Sequence, residues 1–214
     1  MRQGVVIFVK YPEPGRVKTR LAATVGAERA TEIYRWLVAE VFARLPEDLE
    51  VIVCFDPGER REEIVRWLGG VAGDRELRFW PQAAGDLGAR LGRACAEACA
   101  FGFQQFAVIG TDCVEIDAAI FDETWAALET SDVVLGPSED GGYYLIAFAS
   151  PGAALFREIP WSSGRVLAET LARAEAANLK VHLLPIHLDV DTEEDWRRAR
   201  QRLGFAAEKT PNGI

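Results

Sequence analysis

Four basic side chains follow the first apolar run of the chain and could bind phosphate groups. Residues 5–9 read Val-Val-Ile-Phe-Val, a continuous apolar run that is typical of a buried strand. The loop behind this run has two prolines, Gly15 and a single acid, Glu13. Guanidinium groups match phosphate oxygens bidentately and lysine acts as a point charge, so the loop indicates a phosphate site, with a solvated surface loop as the alternative. Its cations are Lys10, Arg16, Lys18 and Arg20.

This basic loop differs from two common phosphate-binding motifs. Lys18-Thr19 matches the end of a Walker A sequence, but Val17 stands where that motif requires glycine. The first turn also lacks the pattern G-x-G-x-x-G. The sequence therefore argues against a P-loop and disfavours a dinucleotide-binding Rossmann site.

A carboxylate, Asp112, ends the apolar run that begins at Phe106. The run Phe-Ala-Val-Ile fits a strand covered on both faces, and Gly110 lets the backbone turn or approach a ligand closely. In open α/β sheets, ligands bind at the carboxyl ends of strands. Asp112 is therefore a candidate ligand for a hard cation such as Mg²⁺, and its alternative role is an Asx bond that caps the next turn.

Two further carboxylates, Asp189 and Asp191, stand two residues apart. In an extended segment they project to the same side, so both can face one ligand while Val190 packs inward. Paired acids repel each other unless a cation or protons intervene. The alternative is that Asp191 or Thr192 is simply the N-cap of the last helix.

Composition limits the classes of partner. The chain has 214 residues, of which 49% are hydrophobic and 27% charged, as in ordinary globular proteins. Its 24 basic and 33 acidic residues give a formal charge of −9. This balance argues against binding to nucleic acid or to anionic membranes, while a local basic loop can still hold one phosphorylated ligand.

Several features predict a cytoplasmic location. No apolar run approaches the roughly 18 residues of a membrane span. The first three residues pass directly into a strand, which leaves no room for a signal peptide. The four cysteines show no clustering typical of zinc sites, so buried thiols in a reducing compartment are expected: Cys54, Cys95, Cys99 and Cys113.

Strands and helices are expected to alternate, which predicts an α/β three-layer sandwich with a mainly parallel sheet. The Gly-Gly pair at 141–142 predicts a hairpin or wide turn that adds a strand, for which antiparallel pairing is one option. One domain over 1–205 and a flexible tail at 206–214 are expected. The expected strands are 5–9, 50–55, 76–81, 106–109, 133–136, 143–148 and 181–185. Asp56-Pro57 is expected to start one helix, Asp86 to cap another, and a Thr192/Asp195 capping box to begin the last, which runs through 203. The other expected helix ranges, with the first two of these, are 27–45, 57–68, 82–101, 117–129 and 165–178.

Five ordered motifs resemble a known family. They look like the glycosyltransferase-A-type proteins called rSAM/selenodomain-associated transferases, which are similar to phospholactate guanylyltransferases and molybdenum-cofactor nucleotidyltransferases. The resemblance extends from about Val5 to Trp196. Its motifs are Val9 to Leu21, Ile109 to Cys113, Gly136 to Ile146, Trp161 to Ser163 and Asp189 to Thr192.

The resemblance implies a nucleotide-diphospho-sugar transferase fold, a nucleotide or nucleotide-sugar donor, and Mg²⁺ or Mn²⁺. On the donor side it gives Asp112 and Asp191 as metal ligands. The loop with Arg16, Lys18 and Arg20 matches the segment that wraps the donor phosphates, and Lys10 and Gly15 belong to the same loop. Residues 85–90 match a segment near the base or ribose, which makes Gly85, Asp86 and Arg90 candidate nucleotide contacts.

The resemblance places the turn formed by Asp140, Gly141 and Gly142 on the acceptor side of the site. Tyr143 and Tyr144 alternate across a strand, so at most one is expected to face the site, and Tyr143 is the candidate. Trp161 is a candidate for stacking on an acceptor, with a core position as the alternative. One departure from the related pattern is Val114, where proline is usual, and its flexibility is expected to loosen the loop behind Asp112.

These features predict a metal-dependent, glycosyltransferase-like enzyme with an unknown small-molecule acceptor and with Lys18, Asp112 and Asp140 as catalytic residues. One alternative is a nucleotidyltransferase of the guanylyltransferase kind, for which Lys18 would place a cation on the α-phosphate. A second alternative is a nucleotide-binding module without catalysis.

Overall fold

Strands and helices alternate along the part of the chain that the structure, a computed structural model, describes: residues 1–149 and 153–204. The strands are β1 (Gln3–Lys10), β2 (Glu50–Asp56), β3 (Leu77–Pro81), β4 (Gln105–Ile109), β5 (Val133–Pro137), β6 (Tyr143–Phe148) and β7 (Val181–Leu183). The α-helices are α1 (Thr19–Val25), α2 (Ala27–Arg44), α3 (Arg61–Gly69), α4 (Leu87–Phe101), α5 (Ala118–Ala127), α6 (Val166–Ala176) and α7 (Glu193–Arg202). The predicted tail at 206–214 lies outside the described residues.

These strands form one sheet in the order β3-β2-β1-β4-β6-β5-β7. β6 runs antiparallel to both of its neighbours, β4 and β5, and the other neighbouring pairs are parallel. The predicted hairpin and its added antiparallel strand are therefore confirmed. The carboxyl ends of β1, β2, β3 and β4 meet at one edge of the sheet, where ligands bind in open α/β folds.

The sheet separates two hydrophobic cores. Val5, Ile7 and Val9 of β1 belong to one core, while Val6 belongs to the other, as the period of two in a strand requires. The first core includes side chains of α2, α3, α5 and α7, and the second includes side chains of α4 and α6. This arrangement confirms the predicted three-layer sandwich with a mainly parallel sheet.

Local capping signals start three helices. The Asp86 carboxylate accepts from Ala89 N of α4 at 2.8 Å, and Asp117 caps α5 in the same way. Thr192 and Asp195 form the predicted capping box of α7. In these places short-range hydrogen bonding decides the structure, and the sequence signals are confirmed.

The predicted helix start at Asp56-Pro57 is wrong. Asp56 is the last residue of β2 and lies opposite Lys10 in the parallel register, and its carbonyl accepts from Tyr11 N at 2.8 Å. A 3₁₀ turn over Gly58–Arg60 follows, and α3 begins only at Arg61. The local sequence had predicted a helix cap at Asp56, but pairing with β1 makes this residue the end of β2.

Two other boundaries differ from those expected. α4 begins at Leu87, several residues after Gln82, because Gln82 N still donates to Phe55 O of β2 at 2.8 Å. The short helix α1 was not predicted, and its seven residues carry only one buried side chain, Leu21.

Within the described residues, no helix combines the length and the apolar character needed to cross a bilayer. The single-domain assignment stays a prediction.

Candidate active site

A cleft of about 680 Å³ lies at the carboxyl ends of the central strands, β1 and β4. Its lining combines four cations with three carboxylates, drawn from segments that are distant in the sequence. The cations are Lys10, Lys18, Arg20 and Arg90, and the carboxylates are Asp112, Asp189 and Asp191. The fold therefore brings most of the predicted site residues together.

The ammonium of Lys18 lies at the centre of these charges. Its Nζ contacts Asp112 Oδ1 at 2.7 Å and Asp191 Oδ1 at 3.3 Å, and it donates to Val190 O at 2.5 Å. The Lys18 side chain is only 4% exposed. Burial alone would lower the pKa of Lys18, but the carboxylates of Asp112 and Asp191 hold it above its ordinary value. Lys18 is therefore a fixed positive charge in the site.

The backbone at Lys18 is strained. Lys18 has φ 47° and ψ 48°, the left-handed conformation that costs a residue with a side chain roughly 1–2 kcal/mol. Buried residues on either side, Val17 at 3% and Leu21 at 0% exposure, anchor the loop to the core. These anchors hold the strained residue in place, and strain of this kind clusters at functional sites.

Two hydrogen bonds hold the segment after β4 against the segment before α7. Val190 N donates to Asp112 O at 2.9 Å, and Leu188 N donates to Glu115 Oε2 at 3.0 Å. Val114, which replaces the proline of the related pattern, is buried at 1% exposure. Backbone pairing and the Glu115 side chain hold the loop behind Asp112, and its expected loosening by Val114 stays a prediction.

Glu115 extends this connection into a charged network. Its Oε2 also accepts from Arg202 Nη1 at 2.8 Å, and the other end of that guanidinium pairs with Glu139 at 2.7 Å. Glu139 pairs in addition with Arg198 of α7. The network thus links α7 to the loop behind Asp112 and to the turn before Asp140. Sequence reasoning did not identify Glu115 as a contributor, and no local pattern signals it.

Asp189 and Asp191 both line the cleft, while Val190 between them is fully buried. This is the alternation expected of an extended segment. Burial, together with the negative charges of Asp112 and Asp140, raises the pKa of Asp189 to about 7, although the positive charge of Lys18 opposes this shift. Asp191 Oδ2 contacts Arg20 Nη1 at 3.2 Å, on the exposed side of the pair.

Arg90 marks the other end of the cleft. Its Nε donates to Gly85 O at 3.1 Å, and its Nη1 contacts Gln82 Oε1 at 3.0 Å and Asp56 Oδ2 at 3.3 Å. Gln82 also lines the cleft, but it was not among the predicted site residues. Like Asp112, it is a polar residue that follows a predicted strand, and this position could have identified it. Asp86 is used as the cap of α4 and is outside the cleft lining.

The basic loop divides into two parts. Lys10, Lys18 and Arg20 line the cleft, whereas Gly15 and Arg16 are exposed and do not. Tyr34 of α2 holds the end of β1, because its hydroxyl accepts from Lys10 N at 2.8 Å and donates to Lys10 O at 3.1 Å. The phosphate-binding role of Gly15 and Arg16 stays a prediction that would need the loop to fold over a ligand.

The turn with Asp140 lies beside the cleft and does not line it. Asp140 Oδ1 accepts from Ser138 Oγ at 2.5 Å and from Gly142 N at 2.9 Å. Gly141 has φ 87°, and a Cβ there would lie 2.3 Å from Gly164 O, so only glycine fits. The turn is therefore rigid and closely packed on the loop that precedes α6.

The aromatic candidates have different positions. Tyr143 and Tyr144 pack into opposite cores, as expected, yet both line the cleft. Trp161 packs against the second core and does not line the cleft; a Cβ on Gly88 of α4 would lie 2.9 Å from its Nε1. His187 contacts the ring of Tyr144 at a centroid distance of 5.0 Å and does not line the cleft either.

Comparison with known proteins identifies the fold. The family described as "Uncharacterized protein conserved in bacteria (DUF2064)" matches residues 39–163. No curated protein matches the sequence. A crystal structure from Desulfovibrio desulfuricans G20, provisionally described as a nucleotide-diphospho-sugar transferase, has a TM-score of 0.85 and 31% identity, over 96% of this chain and 89% of that one.

More distant structures share the fold alone. CMP:2-keto-3-deoxy-manno-octonic acid synthetase complexed with CTP has a TM-score of 0.58 and 14% identity, over 95% of this chain and 99% of that chain. Rv0371C from Mycobacterium tuberculosis H37Rv, in complex with manganese, has a TM-score of 0.52 and 14% identity, over 94% and 99% of the two chains. Together with the D. desulfuricans structure, they show that the fold is of the nucleotide-diphospho-sugar transferase type.

Proposed function

The chain belongs to the DUF2064 family, and we propose that it is a transferase that uses a nucleotide-activated donor, with Mg²⁺ or Mn²⁺ as its metal. The observation that carries this proposal is the buried ammonium of Lys18, which is held against Asp112 and Asp191 in a cleft lined by further cations. A charged cleft of this kind suits a donor that carries several phosphate oxygens. The provisional description of the D. desulfuricans protein, at 31% identity, supports the same class of reaction.

The donor set fits a hard divalent cation. Asp112 Oδ1 and Asp191 Oδ1 converge on one ammonium, so a single cation can contact both oxygens. Among residues 1–149 and 153–204, no cluster of three or more His, Cys, Asp or Glu is arranged to hold a metal. The pair would therefore share the ion with water and donor phosphates, as proteins commonly do with Mg²⁺.

When bound, such an ion supplies electrostatic stabilisation of charge on the leaving phosphate. The manganese in the Rv0371C structure, a protein of the same fold, is compatible with this assignment.

The protein's own residues would bind and orient the donor. Lys18, Lys10 and Arg20, which all line the cleft, would neutralise phosphate oxygens of the donor. Arg90, fixed by Gly85 O and Gln82, would contact the ribose or base at the other end. Because these groups already line the cleft before the donor binds, they would stabilise the charge that develops on phosphate electrostatically.

One observation favours nucleotidyl transfer over glycosyl transfer. Glycosyl transfer needs room for a donor sugar near Asp140, but Asp140 lies outside the cleft lining, and one of its oxygens is already hydrogen-bonded within its own turn. The buried cation of Lys18, by contrast, lines the cleft, where it would contact the α-phosphate of a triphosphate. In nucleotidyl transfer an acceptor oxygen forms a bond to the α-phosphorus and pyrophosphate leaves, whereas in glycosyl transfer a nucleoside diphosphate leaves.

The test is a thermal-shift panel of nucleoside triphosphates and nucleotide sugars, each with and without Mn²⁺. A ligand at 100 times its dissociation constant should raise the melting temperature by about 5 to 10 °C for a protein of this size. Release of pyrophosphate from the active donor would support nucleotidyl transfer, and release of a nucleoside diphosphate would support glycosyl transfer. Tight binding with no turnover would favour a non-catalytic module, and no metal-dependent shift with any donor would contradict the proposal.

A further inference from the structure

We propose that Lys18 occupies the cation position between Asp112 and Asp191 in the donor-free protein and must leave it before a divalent metal can bind there. Donor phosphate and metal would then bind cooperatively, because the phosphates give the ammonium a new set of acceptors. This inference rests on the proposed function, since it assigns a binding order to the same site.

The Lys18 ammonium is fully coordinated in the donor-free protein. A lysine ammonium has three N–H donors. Three oxygens lie within 3.3 Å of Lys18 Nζ: Asp112 Oδ1, Asp191 Oδ1 and Val190 O. The position between the two carboxylates is therefore already a complete cation site, occupied by a group of the protein itself.

Two cations cannot share the position between Asp112 and Asp191. Asp191 Oδ2 already contacts Arg20, so a metal in that position would use Asp112 Oδ1 and Asp191 Oδ1, the two oxygens that Lys18 contacts. The Lys18 side chain is 4% exposed, so little water is available to screen the repulsion between an ammonium and a divalent ion at such a short distance. A metal in that position therefore excludes the contacts of Lys18 to the same two oxygens.

Donor phosphates would release Lys18 from this position. The ammonium ends a flexible four-carbon stem, so it can move while the strained backbone stays anchored by Val17 and Leu21. The donor phosphates would enter beside it, in the part of the cleft also lined by Lys10 and Arg20. Because linkage is reciprocal, a donor that draws Lys18 away raises the metal affinity, and the metal raises the donor affinity by the same factor.

The experiment measures Mn²⁺ binding without any nucleotide, by the loss of the free-ion signal in electron paramagnetic resonance. Lys18→Met removes the ammonium and keeps an apolar stem. Lys10→Met is the matched control, because it removes one positive charge from the same cleft without removing a contact to either carboxylate. We expect Lys18→Met to bind Mn²⁺ about tenfold or more tightly than the unmodified protein, and Lys10→Met to change the affinity by less than about threefold.

The outcomes separate this inference from the proposed function. Unchanged or weaker Mn²⁺ binding by Lys18→Met overturns the inference, as does an equal gain in both variants, which would reflect net charge alone. If the unmodified protein binds Mn²⁺ together with a nucleoside triphosphate while Lys18→Met shows no gain, the proposed function stands without the inference. Absence of Mn²⁺ binding under every condition overturns both the inference and the proposed function.

Cooperative thermal unfolding verifies that each variant is folded, and Lys18→Gln replaces the methionine variant if that one does not fold.

Discussion

At the scale of single residues, the site depends on one lysine and two distant aspartates. Lys18 is buried in a left-handed backbone conformation, and its partners Asp112 and Asp191 are 44% and 38% exposed. The cation is thus fixed from inside the protein, while the carboxylates face the cleft. A ligand entering the cleft meets the acids first and must reorganise the pair to reach the ammonium.

Asp112→Asn should abolish metal-dependent nucleotide binding, because the amide removes the negative charge that a divalent ion requires. The variant should still unfold cooperatively, since Lys18 keeps Asp191 and Val190 O as partners. The measurement is the Mn²⁺-dependent thermal shift with the best donor. Asp74→Asn is the control, because Asp74 is exposed and precedes β3 at the opposite edge of the sheet. An unchanged shift in Asp112→Asn would remove Asp112 from the metal site.

Gly141→Ala should destabilise the protein by about 3 kcal/mol or more, through backbone strain and a clash with Gly164 O. Gly15→Ala is the matched control, because Gly15 has φ 79° with nothing within 4 Å of its added Cβ. The control should lose only the conformational cost of roughly 1–2 kcal/mol. Chemical denaturation of both variants gives the comparison, and equal losses would mean that the close approach at Gly141 contributes nothing.

At the scale of elements, the site is assembled where two loops and a helix meet. The segment behind β4 and the segment before α7 are joined by the Val190 N to Asp112 O bond and by Glu115. The capping box then starts α7 directly after Asp191. The position of Asp191 is therefore fixed on both sides. Val190 before it pairs with the Asp112 loop, and the capping box of α7 follows it.

Glu115→Ala should cost about 1–3 kcal/mol of stability, because it leaves the half-buried Leu188 N–H without an acceptor and removes one of the two carboxylates that pair with Arg202. Glu129→Ala, at an exposed position after α5, should change stability by less than about 0.5 kcal/mol. Urea denaturation measures both effects. A Glu115→Ala variant as stable as Glu129→Ala would show that the loop behind Asp112 holds its position without this side chain.

At the scale of the whole molecule, an acidic protein carries a local cationic cleft. The formal charge of −9 repels long polyanions, while the cations in the cleft attract a ligand small enough to enter. The two effects act over different distances, because charges on the surface are screened beyond about 8 Å at physiological salt.

We therefore expect no binding of duplex DNA at micromolar protein in 150 mM salt, measured by fluorescence anisotropy, under conditions where a nucleotide donor binds. A basic patch large enough for a duplex would release counterions and give salt-dependent binding. Saturable DNA binding at this salt concentration would contradict the partner class assigned from the charge balance.

Much of the fold could be predicted from the sequence, because its signals are local. Continuous apolar runs marked β1, β2 and β4, helical spacing marked α2, and the Gly-Gly pair marked the hairpin into β6. Asp86 and the Thr192/Asp195 box were correct caps because the bonds they make span only three residues. Where long-range pairing competed with a local signal, as for Asp56 in β2, the local signal failed.

The sequence by itself determined the inventory of the site: a basic loop after the first strand, an acid after β4, and a pair of acids before the last helix. Each follows from the chemistry of neighbouring residues. Only the tertiary structure decided that Lys18 lies between Asp112 and Asp191, and that Asp140 and Arg16 lie outside the cleft lining. The physical reason is that these relations depend on packing between segments far apart in the chain, and no local pattern records which side chain a distant carboxylate will meet.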